Sequence, residues 1–231
     1  MSESLPTVSD TKRAFYRGFP KPVNSVYRRA IDELLVESHL LTVCQTFHYD
    51  PIFALGWVTA FDEFTTSYRP EADRAKIYHA LVSALRLNSE QLRADAQKLA
   101  QLAQSAPQGV VTLLTTGEGS PELEPLTGTV HRIAGTPQFK YSRLLAIGLF
   151  RLLALSAPEQ WADPERRKAL LAQVGKTLNL NSEKLIRDQE LYQSSLDKLK
   201  QSLQMMADLV EAERKKRQKH LPTPSTTSSQ A

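Results

Sequence analysis

The residue types that most often carry catalysis are few in this sequence, and their spacing is poor for it. The five histidines form no H-E-x-x-H pair and no other metal-ligand spacing. They are His39, His48, His79, His131 and His220. Cys44 and His48 lie at the end of a helix predicted to end near Phe47. Their separation of four residues would let them face each other, as a nucleophile and its base do. No third group orients them, so a buried cysteine near a helix end is the favoured interpretation.

Two further patterns have the residue types of an active site but are better explained structurally. Glu33 and Glu37 share a helix face behind Arg29, which is typical of a solvated face with an ion pair. The glycine-rich stretch Gly117–Ser120 lacks the lysine of a phosphate-binding loop and is interpreted as a flexible loop. We therefore predict a protein that is not an enzyme and has no cofactor or metal site. A hydrolase that uses Cys44 is the remaining enzymatic alternative.

The composition is that of a soluble globular protein whose charge is concentrated at one end. Of 231 residues, 41% are hydrophobic and 23% are charged, with 29 basic and 25 acidic residues. Five of the basic residues form one cluster, which consists of Arg214, Lys215, Lys216, Arg217 and Lys219. Without those five, 24 basic residues stand against 25 acidic ones, so the rest of the chain is nearly neutral.

This basic cluster has three interpretations. It can complement the negative C-terminal end of a helix, attract an anionic membrane surface, or contact nucleic acid. Nucleic acid is the weakest of the three because no aromatic residues are interleaved with the charges. We name the cluster as a candidate contact for a membrane or a protein partner, and we predict no nucleic-acid binding.

No segment predicts a transmembrane helix or a targeting peptide. The two longest apolar runs, Ile52–Phe61 and Leu144–Leu155, are shorter than the roughly 20 residues that a spanning helix needs. Residues 1–10 have neither the apolar core of a signal peptide nor the Arg/Ser-rich character of a transit peptide. We therefore expect a soluble or peripheral membrane protein.

Helical periodicity predicts an all-α fold, a helical bundle with two central helices formed by the two apolar runs. A three-helix unit is repeated at about 51–104 and 143–203: Leu87–Leu92 matches Leu180–Leu185, and Ala54–Gly56 matches Ala146–Gly148. Either the units are related, or capping chemistry has repeated by itself, since Asn or Ser followed by Glu suits any helix start.

The predicted organisation is a single helical domain with extended ends. It consists of a flexible arm (1–11), the domain (12–221), an irregular loop within it (105–140), a long C-terminal helix (182–220) and a disordered tail (222–231). The long helix carries apolar residues at alternating four- and three-residue spacing, which predicts a coiled-coil-like seam. The seam consists of Leu185, Gln189, Tyr192, Leu196, Leu199, Leu203, Met206 and Val210.

Several motifs, in the order in which they stand, point to one family. The first half contains Thr7–Arg13, Tyr27–Arg29, Glu33–Glu37, His39–Leu41, Tyr49–Pro51 and Ala54–Gly56, and the second half contains Tyr141–Leu144 and Ala146–Leu149. Together they resemble the thylakoid formation, or photosystem II biogenesis, protein family over roughly residues 7–210.

The resemblance implies an all-helical, non-enzymatic protein of oxygenic phototrophs that supports thylakoid membrane formation and photosystem II biogenesis or repair. It also implies a link to the membrane-bound FtsH-type AAA protease, with photosystem II subunits as further candidate partners. The lack of a transit peptide favours a cyanobacterial chain on the cytoplasmic side of the thylakoid. The alternative function is a pigment or lipid carrier that would use His39 or His48.

Overall fold

The computed structural model describes residues 5–219, and the side chains of the last three lie outside the description. This part of the chain is all-α and contains no strand. Its helices are α1 (Val8–Gly18), α2 (Ser25–Thr42), α3 (Pro51–Thr65), α4 (Glu71–Ala84), α5 (Ser89–Ser105), α6 (Pro107–Thr116), α7 (Leu126–Gly135), α8 (Arg143–Ser156), α9 (Pro158–Ala162), α10 (Pro164–Thr177) and α11 (Ser182–Lys219), with a 3-10 turn at Pro121–Leu123.

The centre of the bundle is the pair α3 and α8, which are the two apolar runs of the sequence. Within the run Ile52–Phe61 every residue is buried except Thr59, its one polar member. Arg151 is likewise the exposed position of the other run. Helices without a polar side must be covered on all sides. The helices that cover this pair directly are α2, α5, α6, α7, α9 and α11, and α10 packs on α6 and α11. Helix α1 packs on α4 and α2, and Tyr78 of α4 lies against Trp57 and Phe61 of α3.

The two central helices cross at a pair of glycines that make reciprocal contacts. A Cβ atom on Gly56 would overlap the backbone oxygen of Leu144, one turn before Gly148. A Cβ atom on Gly148 would overlap the backbone oxygen of Ile52, one turn before Gly56. Because the backbones themselves are in contact, no other residue type fits at either position without moving a helix.

The two predicted three-helix units also share a tyrosine–aspartate hydrogen bond. The Tyr49 hydroxyl donates to Asp95 at 2.9 Å, and the Tyr141 hydroxyl donates to Asp188 at 2.7 Å. The second unit contains the short helix α9 in addition to the three predicted helices. Each tyrosine precedes the start of a central helix, and each aspartate lies on the last helix of its unit. The equivalent residues therefore occupy equivalent places.

A third correspondence is the end of the middle helix in each unit. Arg86 and Asn179 have left-handed backbone conformations, with φ of 58° and 53°. Directly after them, the N–H groups of Leu87 and Leu180 bond back to helix carbonyls at 3.1 and 2.8 Å, as in a Schellman motif. A common origin of the units stays a prediction, which a superposition of 51–104 on 143–203 would test.

The prediction of an irregular loop over 105–140 is corrected by the structure, because α6 and α7 lie within it. Pro107 occupies the first turn of α6, where its missing N–H costs nothing. Gly117 ends α6 in the left-handed conformation, with φ of 82°. Proline and glycine here mark the ends of short helices and do not indicate a continuous loop.

The predicted flexible arm over 1–11 is also too long. Helix α1 begins at Val8, since Thr7 and Asp10 form a capping box in which each side chain accepts the other's backbone N–H. Phe15 is fully buried and fixes the helix to the body. Residues 1–4 lie outside the description, as does the predicted disordered tail (222–231).

Replacing Gly56 with alanine is expected to destabilise the protein by about 3 kcal/mol or more, because the new methyl group meets backbone that cannot rotate away. Gly135→Ala is the matched control: its Cβ atom would meet nothing within 4 Å, and we expect a change within about 0.5 kcal/mol. Urea unfolding measures both. Equal stability of Gly56→Ala and the unmodified chain would contradict the close crossing.

Candidate docking surface

Helix α11 is anchored in the body along its first half only. Leu185 is completely buried and Gln189 nearly so. The next seam positions are half-buried, and three of the four pack against the core: Tyr192, Leu199 and Leu203, but not Leu196. Met206 and Val210, the last two positions, are 42% and 58% exposed. The first part of the seam therefore packs on the body, and the last part does not. Coiled-coil pairing of this helix with another chain stays a prediction.

Hydrogen bonds to both central helices hold the base of α11. The Tyr192 hydroxyl donates to Glu63 on α3 at 2.7 Å, and Asp188 accepts from Tyr141 beside the start of α8. Burial, with the neighbouring carboxylate, raises the pKa of Tyr192 well above its ordinary value. The hydroxyl therefore stays protonated and acts as the donor.

A groove lies between α2 and α11, and we call it the α2–α11 groove. It encloses a cavity of about 90 Å³. Its lining comes from α2, α3, α8 and α11 and is mainly apolar, with Leu34, Phe64, Leu144, Ile147, Phe150 and Leu191. At one end Glu37 pairs with Arg143 at 3.0 Å and also accepts its backbone N–H at 3.1 Å. Burial raises the pKa of Glu37, and the arginine opposes that shift.

Two large apolar side chains stand exposed beside this groove. Leu191 on α11 is 57% exposed, and Leu40 on α2 is 55% exposed. Leu40 lines a surface depression that shares Glu37, Arg143 and Asp188 with the groove. Leu191 lines the groove itself and Leu40 the adjoining depression, and both lie on helices fixed to the core.

Beyond Leu203, α11 is no longer covered by the body. We call residues 204–219 the projecting segment. Every side chain from 204 to 216 is exposed, including Met205 and Leu209 at 66% each. Of the predicted basic cluster, the structure places Arg214, Lys215 and Lys216 here, all exposed. The side chains of Arg217 and Lys219 lie outside the description.

The predicted helical pairing of Cys44 and His48 is wrong, because α2 ends at Thr42. The Thr42 hydroxyl bonds back to the His39 carbonyl at 3.2 Å, and the Cys44 N–H bonds three residues back, which tightens and closes the last turn. The His48 ring bonds to the Thr46 carbonyl at 3.0 Å and not to the thiol.

The Cys44 thiol has polar neighbours instead of a histidine. The Thr46 hydroxyl lies 3.2 Å from its sulfur, and the Lys140 ammonium donates to it at 3.3 Å. Hydrogen bonds from Thr46, with a smaller effect of Lys140, lower the pKa of Cys44 to about 7. Sequence reasoning missed Lys140, which is remote in the chain and belongs to no recognisable motif.

The remaining candidate chemical residues have structural partners. Glu33 pairs with Arg29 at 2.9 Å, as predicted. His39 is buried and bonded to Thr11 at 2.9 Å, while His131 lies 2.9 Å from the carbonyl of Gly117. In the part of the chain that the structure describes, no three His, Cys, Asp or Glu side chains group as metal ligands would. His220 lies outside it.

Comparison with known proteins identifies the family. A family model described as thylakoid formation protein matches residues 7–221. The chain belongs to the thylakoid formation protein family. The resemblance of the sequence motifs to this family is therefore confirmed, and the match extends it to the end of the long helix.

The relatives of this thylakoid formation protein cover almost its whole length. Protein Thf1 of Trichormus variabilis is 44% identical, over 97% of each chain. Protein Thf1 of Synechococcus elongatus is 45% identical, over 93% of this chain and 85% of the relative. A solved structure of Psb29 at 1.55 Å is 43% identical, covers 92% of this chain and 98% of that one, and superposes with a TM-score of 0.78.

Family membership supports a thylakoid-related accessory role, and none of these relatives carries an enzyme name. Among residues 5–219, no helix combines the length and the apolar character that crossing a bilayer requires.

The α2–α11 groove was not predicted from the sequence. The sequence contains one indication of it: Leu40 and Leu191 each lie outside the apolar stripe of their own helix, so they are expected to be exposed. That signal is weak, since single exposed leucines are common on protein surfaces. Only the fold brings the two to one surface.

The Tyr192–Glu63 bond is expected to stabilise the seating of α11 by about 1 kcal/mol, since both side chains are partly exposed. A double-mutant cycle of Tyr192→Phe and Glu63→Ala, followed by urea unfolding, measures this coupling. Strictly additive effects of the two changes would contradict a bond between them.

Alkylation of Cys44 by iodoacetamide is expected to rise with pH around a midpoint near 7, because the thiolate is the reactive form. Thr46→Val removes the larger cause of the lowered pKa, so the midpoint should move upward, and Lys140→Met should move it less. The pH–rate profile measures all three. An unchanged midpoint in both variants would contradict the assignment.

Proposed function

We propose that this chain is a non-enzymatic accessory protein of thylakoid membrane formation and photosystem II biogenesis or repair. It acts on the cytoplasmic side of the membrane by binding and stabilising an FtsH-type protease complex. The family match supports the thylakoid role. The observation that carries the docking mechanism is the pair of exposed leucines, Leu40 and Leu191, beside the α2–α11 groove.

The surface has the properties of a protein-docking site. A few residues at the desolvated centre carry most of the energy of typical interfaces, and that centre is more apolar than the polar rim around it. Leu40 and Leu191 provide such anchors, and the Glu37–Arg143 pair lies between their helices. Because both helices are fixed to the core, little ordering cost accompanies binding.

Binding of this kind stabilises a partner without any chemical step. A protein that binds only the assembled protease shifts the equilibrium toward assembly by mass action. Glu33, His39 and His48 have structural partners, and no chemical step is needed for this role. Photosystem II subunits are further candidate partners of the same surface.

A pigment or lipid carrier is less well supported. Pockets for small molecules and cofactors are generally clefts of roughly 300–1,000 Å³ that bury most of the ligand. The cavity within the α2–α11 groove is about 90 Å³. The adjoining depression beside Leu40 is larger, about 690 Å³, but it is a surface depression open to solvent and would leave a ligand largely uncovered. His39, one of the two candidate tetrapyrrole ligands, is 4% exposed and already bonded to Thr11. If the purified protein were coloured, the pigment-carrier function would be favoured over docking.

The test is an affinity pull-down of the tagged chain from solubilised thylakoid membranes, with the protease and photosystem II subunits quantified together. Leu40→Ser combined with Leu191→Ser is expected to reduce protease recovery by about tenfold, since two apolar anchors are lost. Both sites are exposed, so folding should be unaffected.

The matched control is Met205→Ser combined with Leu209→Ser, which removes two equally exposed apolar side chains from the projecting segment. It should leave recovery from detergent-solubilised membranes unchanged. Full recovery with the Leu40 and Leu191 variant would overturn docking at the groove. Recovery of photosystem II subunits without protease would overturn the choice of partner.

A further inference from the structure

The projecting segment carries an exposed apolar surface that the fold does not use. Met205, Met206, Leu209 and Val210 are between 42% and 66% exposed. At 3.6 residues per turn these four positions fall within a sector of about 140° on the helix. Asp208 and Glu211 lie on the opposite side by the same geometry.

The same segment carries a concentrated positive charge. By the same geometry Lys216 falls within the apolar sector one or two turns later, and Arg214 falls next to its edge. Lys215 lies on the side of Asp208 and Glu211 and pairs with Glu211 at 2.6 Å. The sequence adds Arg217 and Lys219. The projecting segment holds three acidic residues as well, but all five basic ones lie in 214–219, where no acidic residue stands. Apart from these five residues the chain is nearly neutral. Glu213 is the acidic exception within the sector.

We propose that the projecting segment binds the surface of an anionic lipid bilayer. Exposed apolar side chains on one sector, with basic residues next to them, are the features of helices that lie in a membrane interface. The apolar side chains enter the boundary of the acyl chains, while the basic side chains contact the negatively charged headgroups. This role goes beyond protease docking, because it uses a different part of α11.

A helix dipole, a nucleic acid or a second copy of the chain would each account for only part of this surface. The negative end of the helix dipole explains the basic residues, but it does not explain four exposed apolar side chains before them. Nucleic acid would favour interleaved aromatic residues, and residues 204–219 contain none. Pairing with a second copy would rest on about two helical turns of apolar residues, fewer than the three heptads of a typical coiled coil.

Sedimentation of the full chain with vesicles tests the proposal without any protein partner. Vesicles of phosphatidylcholine mixed with phosphatidylglycerol should bind the chain at least about tenfold more tightly than phosphatidylcholine alone. Raising the salt from about 0.05 M to about 0.5 M should weaken binding strongly, because surface charges are then screened within a few ångströms.

Two variants separate the contributions. Met205→Ser with Leu209→Ser should weaken vesicle binding about tenfold, and Arg214→Gln with Lys215→Gln and Lys216→Gln should reduce it to the level of neutral vesicles. The charge control is the triple change Lys98→Gln, Lys198→Gln and Lys200→Gln, which removes three exposed charges elsewhere. The apolar control is Leu40→Ser with Leu191→Ser. Both controls should bind as the unmodified chain does.

Several results would overturn the proposal. One is equal binding to neutral and anionic vesicles, or binding to neither. Another is an equal loss of vesicle binding in the Lys98, Lys198 and Lys200 control, because binding would then depend on the net charge of the chain and not on this segment. A third is self-association in sedimentation velocity that depends on Met205 and Leu209, without vesicle binding, which would assign the surface to a second copy. Failure of the protease pull-down would not change any of these outcomes, since the vesicles contain no protein.

Discussion

The crossing of α3 and α8 is the contact on which the rest of the structure depends. At Gly56 and Gly148 each helix backbone touches the backbone of the other, without a side chain between them. Helices normally pack at 8–10 Å with side chains interleaved, and a closer approach lets the flanking apolar residues of both helices interdigitate more deeply. Because protein interiors are close-packed and transmit displacement, every helix that covers this pair takes its position from the crossing.

The direction of α11 follows from that centre. Asp188 accepts from Tyr141 beside the start of α8, and Tyr192, one turn further along, donates to Glu63 on α3. The helix is therefore tied near its beginning to both members of the central pair. A 38-residue helix is about 57 Å long, so its base alone determines where its far end points. The projecting segment is positioned by the core although it does not touch it.

Features that depend on local pattern were predictable from the sequence. Thr59 is the one polar residue of the apolar run Ile52–Phe61, and it is the one position there that is not buried. Features that depend on distant partners were not predictable. Pro107 and Gly117 suit a loop as well as the two ends of a helix, and only packing decides between them. Leu40 and Leu191 are separated by most of the chain, so the groove beside them exists only in the fold.

The seam of α11 illustrates why periodicity alone cannot assign a surface. Leu185 and Val210 belong to one continuous four-three pattern, yet the first is completely buried and the second is 58% exposed. The difference arises because the body extends only as far as Leu203. Burying apolar surface yields about 25 cal/mol per Å², and up to Leu203 that free energy contributes to folding. Beyond Leu203 the apolar side chains are exposed and contribute nothing to the fold of this chain. They can be buried only by contact with another molecule.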